Sequence, residues 1–74
     1  MVRIFWAMSP APDGGHLADG VDTLRPGEAW KDLCGRLAAA RGLTVERVFR
    51  PGFGGVQALL RDPADGRRVD LACG

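Results

Sequence analysis

Seventy-four residues, 46% apolar and 26% charged, suffice for one domain and describe a folding chain and not a disordered one. Ten basic against nine acidic side chains leave a formal net charge of +1, so there is no global electrostatic pull toward nucleic acid or membrane, and any such binding must come from a local patch. No stretch approaches the roughly 20 apolar residues of a membrane span.

Residues 2–8 read as a first strand, rich in bulky apolar side chains and stopped by Ser9-Pro10. The apolar run Ile4 to Met8 is too short for a signal peptide, and the polar, proline-rich Ser9 to Asp13 follows at once. The chain is therefore expected in the cytoplasm, where Cys34 and Cys73 would stay as thiols. Lys31 is the single lysine among the basic residues, and alanine and glycine are plentiful, a usage expected of a GC-rich bacterial source. Residues 9–27 carry most of the turn-formers, including Pro10, Pro12, Gly14, Gly15, Gly20 and Pro26, and read as a long loop that Val21 and Leu24 pin to the core.

Residues 28–41 read as an amphipathic helix. Trp30, Leu33, Cys34, Leu37 and Ala38 recur at steps of three and four and define one apolar stripe. Glu28 and Arg41 suit the two ends of the helix dipole, and Asp32 with Arg36 forms an i,i+4 pair in the better order. Gly42 followed by Leu43 is a left-handed stop. A three-stranded meander follows: 44–50, then a turn through Pro51-Gly52-Phe53-Gly54-Gly55, then 56–61, a hairpin loop at 62–66, and 67–73. The whole is predicted to be a single α+β domain over 1–74, one helix packed on a small, mostly antiparallel sheet, in the order β-α-β-β-β.

The period of two assigns the sheet's faces. Ile4, Trp6, Val45, Phe49, Ala58, Leu60, Val69 and Leu71 are predicted to take the helix. The opposite face is predicted to carry Arg3, Phe5, Glu46, Val48, Arg50, Gln57, Leu59, Arg61, Arg68, Asp70 and Ala72. Arginines interleaved with an aromatic and aliphatics suit a protein interface, a homodimer included, or phosphates and stacked bases of RNA; the plain alternative is a solvated face with cross-strand ion pairs. Arg3, Phe5, Arg50, Arg61 and Arg68 are the candidate binding residues.

His16, Cys34 and Cys73 are the only soft metal ligands, widely spaced, whereas zinc favours four ligands in close pairs. Asp13-Gly14-Gly15-His16, Arg25-Pro26-Gly27-Glu28 and Leu33-Cys34-Gly35 resemble short zinc-finger proteins of actinobacteria, a resemblance that implies zinc on those three residues. The paired C-terminal cysteines of such proteins are reduced here to Cys73, and buried inert thiols are the alternative. The segments 33–40, 45–50 and 61–69 resemble the helix, strand and hairpin of HicA-type toxins, small α-β-β-β ribonucleases. Those depend on a histidine in a region where this chain has Gly54-Gly55-Val56-Gln57, so the resemblance implies a shared fold without the catalysis. The only serine, Ser9, stands outside any nucleophile motif, and His16 stands alone in a loop. The expectation is a non-enzymatic interaction module with no cofactor, with an RNA-binding domain or a zinc-stabilised domain as alternatives.

Overall fold

The computed structural model describes residues 2–49 and 54–74. It consists of β1 (Val2–Ala11), β2 (Ala18–Leu24), α1 (Trp30–Ala39), β3 (Thr44–Phe49), β4 (Val56–Arg61) and β5 (Arg68–Cys73). The strands form one antiparallel sheet in the order β2-β1-β5-β4-β3, with the helix on one face. The expected β-α-β-β-β series is present as β1, α1, β3, β4 and β5, and β2 is added between the first two.

That added strand corrects the long loop expected over 9–27. Pairing of β1 with β2 runs from Val2 opposite Leu24 to Met8 opposite Ala18, so half of the presumed loop is sheet. Asp19, Gly20 and Asp22 favour turns in isolation, but the ladder along β1 overrides that preference. Gly20 lies directly opposite Trp6, whose indole covers it so closely that a Cβ there would come within 2.8 Å of the ring. β1 itself runs on through Pro10. The Pro10 carbonyl accepts from Gly14 N–H on the side away from β5, and the missing proline N–H faces that same side, beyond the end of the β2 pairing. No ladder bond is lost, which is the condition under which a strand tolerates proline.

The helix is shorter than its periodicity, because Glu28 precedes it and Ala29 opens it without a side-chain cap. Its stripe is the expected one. Leu33, Cys34, Leu37 and Ala38 are buried against Ile4 and Met8 of β1, Val56, Ala58 and Leu60 of β4, and Val69, Leu71 and Cys73 of β5. Trp30 and Trp6 pack at the margin of this core. At the far end Gly42 adopts φ +70°, and the Leu43 N–H reaches the Ala38 carbonyl at 2.9 Å, closing the helix as its sequence implied. The Asp62–Gly66 turn also forms as expected. The Asp62 amide donates to the Arg67 carbonyl at 2.8 Å, and the Asp62 carboxylate accepts from the Ala64 amide.

Arg36 departs from its expected pairing with Asp32. It turns back to Glu28, with Nε and Nη2 on the two carboxylate oxygens at 2.8 and 3.0 Å, and adds the Thr23 carbonyl at 3.1 Å. Asp22 lies at 3.5 Å. One guanidinium thus fastens the end of β2 and the β2–α1 connection to the helix. Its hydrogen bonds to Glu28, aided by the Arg25 amide, hold the Glu28 pKa at about 2 instead of 4.5. A carboxyl depressed in the folded state stabilises fully above its unfolded pKa, and the contribution fades as pH falls through the folded value. Glu28→Gln should therefore melt below the wild type at pH 7, and the gap should close between about pH 4.5 and 2. Thermal melts of both proteins across that window check it; a gap that stays constant would mean that the ionisation of Glu28 is not what stabilises the fold.

Candidate interaction face

The helix covers one side of the sheet, and among the described residues no element packs on the other. Alternation places Arg3, Phe5, Ala7 and Ser9 of β1 on this open side, with Val21 of β2, Gln57, Leu59 and Arg61 of β4, and Arg68, Asp70 and Ala72 of β5. On β3 the expected phase is reversed past Val45. A bulge between Val45 and Arg47 inserts one residue, so Val48 packs on the core and Phe49 stands on the open face, 41% exposed. The expected placing of Phe49 inside and Val48 outside is corrected by that single extra residue.

The face carries exposed apolar side chains on either side of a low floor. Phe5 and Val21 are direct cross-strand neighbours and stay 63% and 57% exposed. Next to them runs a low floor in which Ala7 pairs with Ala72 and Ala72 with Gln57, ending at Phe49 opposite Gln57. The result is a shallow concavity of about 360 Å³ over Ala7, Ser9, Gln57, Asp70 and Ala72, with Phe49 at its side. The Arg47 guanidinium stacks on the Phe49 ring, 4.9 Å from its centroid. Val21 and Leu24 were expected to pin a loop to the core; Leu24 does pack against it, but Val21 stands on the open face because the ladder of β2 along β1 turns it to the side of Phe5.

The arginines do not form one track. Arg61 and Arg68 are opposite each other, and the bulge brings Glu46 between them: one carboxylate oxygen bonds Arg61, and the other lies 3.3 Å from Arg68. One carboxylate thus offsets half of that local charge. Arg3 lies eight residues before Ala11 along β1, and Ala11 is the partner of Arg68, a separation of roughly 26 Å at the rise of a strand. Asp70 stands between the two basic ends. Arg50 lies outside the described residues. Of the five candidate binding residues, the structure places Arg3 and Phe5 at one end of the face and Arg61 with Arg68 at the other.

The three candidate zinc ligands separate. Cys34 on α1 and Cys73 on β5 are both buried in the apolar core. His16 sits in the β1–β2 turn, where Nε2 meets Asp19 Oδ2 at 3.1 Å on the exposed surface. Among the described residues no three metal-binding side chains converge, and two thiols in an apolar core without a third ligand do not fit tetrahedral zinc. Among the described residues no helix is long and apolar enough to cross a membrane. No family model, no curated protein and no solved structure matches the chain.

Proposed function

We propose that the chain is a non-catalytic interaction module whose open sheet face binds a protein surface, a second copy of the chain being the partner that fits best. The observation that carries this reading is the exposed Phe5–Val21 pair beside a floor of small residues, with Phe49 on the far flank. Aromatic side chains around a low apolar centre are what interface cores enrich. Self-pairing is favoured by charge. Asp19 lies on the β2 flank of the face and Arg47 on the β3 flank. A twofold axis running along the central strand β5 lays each β2 flank over the partner's β3 flank, setting acid against base in both directions.

Light scattering over a concentration series tests this. The wild type should dimerise, and Phe5→Glu should weaken the dimer by roughly thirtyfold or more, the effect of losing an anchor worth about 2 kcal/mol. A wild type that stays monomeric at millimolar concentration removes the second copy as partner. The RNA reading is disfavoured by the Glu46 bridge and the distance between basic ends, since counterion release needs phosphates neutralised along a continuous track. Low-salt binding of single-stranded RNA that falls steeply as salt rises would restore it.

A further inference from the structure

β2 is an edge strand, and its outer margin is only half closed. Phe5 and Gly74 exchange amide bonds, so Phe5 faces the β5 side and its neighbours Ile4 and Trp6 face β2. The residues opposite those two, Asp22 and Gly20, direct their main-chain groups at β1. Asp19, Val21 and Thr23 therefore turn theirs outward. Thr23 is capped: its N–H donates to Asp22 Oδ1 at 2.7 Å, and its carbonyl accepts from Arg36 Nη2 at 3.1 Å. Among the described residues nothing bonds the outward N–H and C=O of Asp19 and Val21. An edge left open in this way is a template for another strand, whereas the far edge, β3, is interrupted by its bulge.

We infer that the β2 edge takes up an extended segment of a partner protein, antiparallel to β2, with an apolar residue opposite Val21, a large apolar residue opposite Gly20 and a basic residue opposite Asp19. Asp19 and Val21 each donate and accept one main-chain hydrogen bond with the segment, the mode by which a strand adds to a sheet. This edge is separate from the floor of the open face and does not rest on the self-pairing proposed for that face.

The side chains along the edge set that pattern, because opposite residues of an antiparallel pair share a face of the sheet. Val21 stands 57% exposed beside Phe5, so its neighbour on the open side is apolar. Asp19, on the same side, meets only His16 at 3.1 Å, a surface contact that a basic residue displaces at little cost. Gly20 has no side chain, and the Trp6 indole lies over it. The helix lies nearest β3 and β4, which leaves a shallow recess of about 550 Å³ between it and β2, lined by Trp6, Val21, Asp22, Leu37, Ala40 and Arg41. The residue opposite Gly20 points into that recess, against the indole. Charge decides between occupants. The β2 strand of a second copy, paired Gly20 to Gly20, would set two Asp19 carboxylates on diagonal positions roughly 7–8 Å apart, whereas a basic residue opposite Asp19 is attracted.

The probe is a capped heptapeptide with isoleucine, phenylalanine and lysine, in that order, between flanking threonines. Titrated into isotope-labelled protein, it should shift the Asp19 and Val21 amides saturably below about 1 mM and slow their exchange by about tenfold or more, while the Thr23 amide, already bonded, keeps its rate. Val21→Pro removes an outward N–H without touching the β1 ladder and should weaken binding by about tenfold, and Val21→Thr, which keeps that N–H, by less. Asp19→Lys should weaken the lysine peptide by about threefold or more and favour the same peptide with glutamate in place of lysine, a test that stands whether or not the proline variant folds. Absence of any shift at Asp19 and Val21 at about 5 mM peptide would overturn the inference. So would shifts confined to Phe5 and Phe49, which would put the peptide on the open face. Protection of the Asp19 and Val21 amides that rises with protein concentration alone would make the occupant a second copy and overturn it too. A chain that stays monomeric in light scattering leaves the titration readable, so the two readings fail separately.

Discussion

Leu33→Ala is expected to cost about 2–5 kcal/mol, the largest loss of any single substitution considered for this chain. Leu33 is wholly buried at the centre of the helix stripe, and Ile4, Leu60 and Leu71 are the large, fully buried side chains of the sheet that share its core. The cost has two parts: the transfer free energy of the deleted methyl groups, and the cavity left where a single short helix cannot collapse onto five strands. A domain of this length buries only about 60% of its unfolded surface, so its margin is small. Urea melts of wild type and variant measure the difference, and a variant core that fails to fold at 25 °C agrees with the upper half of the range. Leu37→Ala, with Leu37 7% exposed on the same stripe, should fall in the same range but lower. A melt that barely moves for either would remove the helix-on-sheet core.

The helix stripe and the meander were legible because each rests on local signals that tertiary structure then used unchanged. The three-and-four spacing from Trp30 to Ala38, the Gly42-Leu43 stop and the Asp62–Gly66 turn all persist. What was not legible depends on partners distant in sequence. β2 exists because β1 offers a ladder to it, and Gly20 within it reads as a breaker until Trp6 is placed over it. The β3 bulge leaves no mark in a run of β-formers, yet it exchanges Val48 and Phe49 between the two faces and carries Glu46 to the arginines. Arg36 chose Glu28 over Asp32 because the β2–α1 connection folds back along the helix, a path that no i,i+4 rule contains.

The candidate face was therefore half visible. Arg3, Phe5, Arg61 and Arg68 fall where alternation put them, but their meaning changes with Phe49, which alternation placed inside, and with Val21, expected to pin a loop to the core. Phe49 and Val21 add exposed apolar side chains to the two edges of an arginine-bearing face, and Glu46 turns two adjacent arginines into a bridged cluster. The balance between an RNA surface and a protein surface thus shifts on the bulge and on β2.

Gly55→Ala is the second large effect expected, and it probes the end of the sheet farthest from that bulge. A Cβ on Gly55 would lie 2.4 Å from the Cys73 carbonyl oxygen, a backbone atom with no rotamer to change. The strand carrying that oxygen is held on its other side as well: Phe5 and Gly74 exchange both amide bonds at 2.8 and 2.9 Å, so Cys73 can retreat only by loosening β5 from β1. Replacing glycine by alanine normally gains about 0.4–1 kcal/mol through the unfolded chain, and the overlap has to be set against that gain. The net expectation is a loss of about 1–3 kcal/mol, the range for overpacking that the backbone must absorb. Gly20→Ala provides the comparison. Its Cβ meets the Trp6 indole at 2.8 Å, and that ring sits half-buried at the core margin with room to tilt, so the loss should be smaller. Urea melts give the two differences, and amide exchange at Phe5 and Gly74 should accelerate in Gly55→Ala but not in Gly20→Ala. Equal losses, or unchanged exchange at both amides, would mean that the close approach of β4 to the end of β5 is not what holds this corner of the sheet.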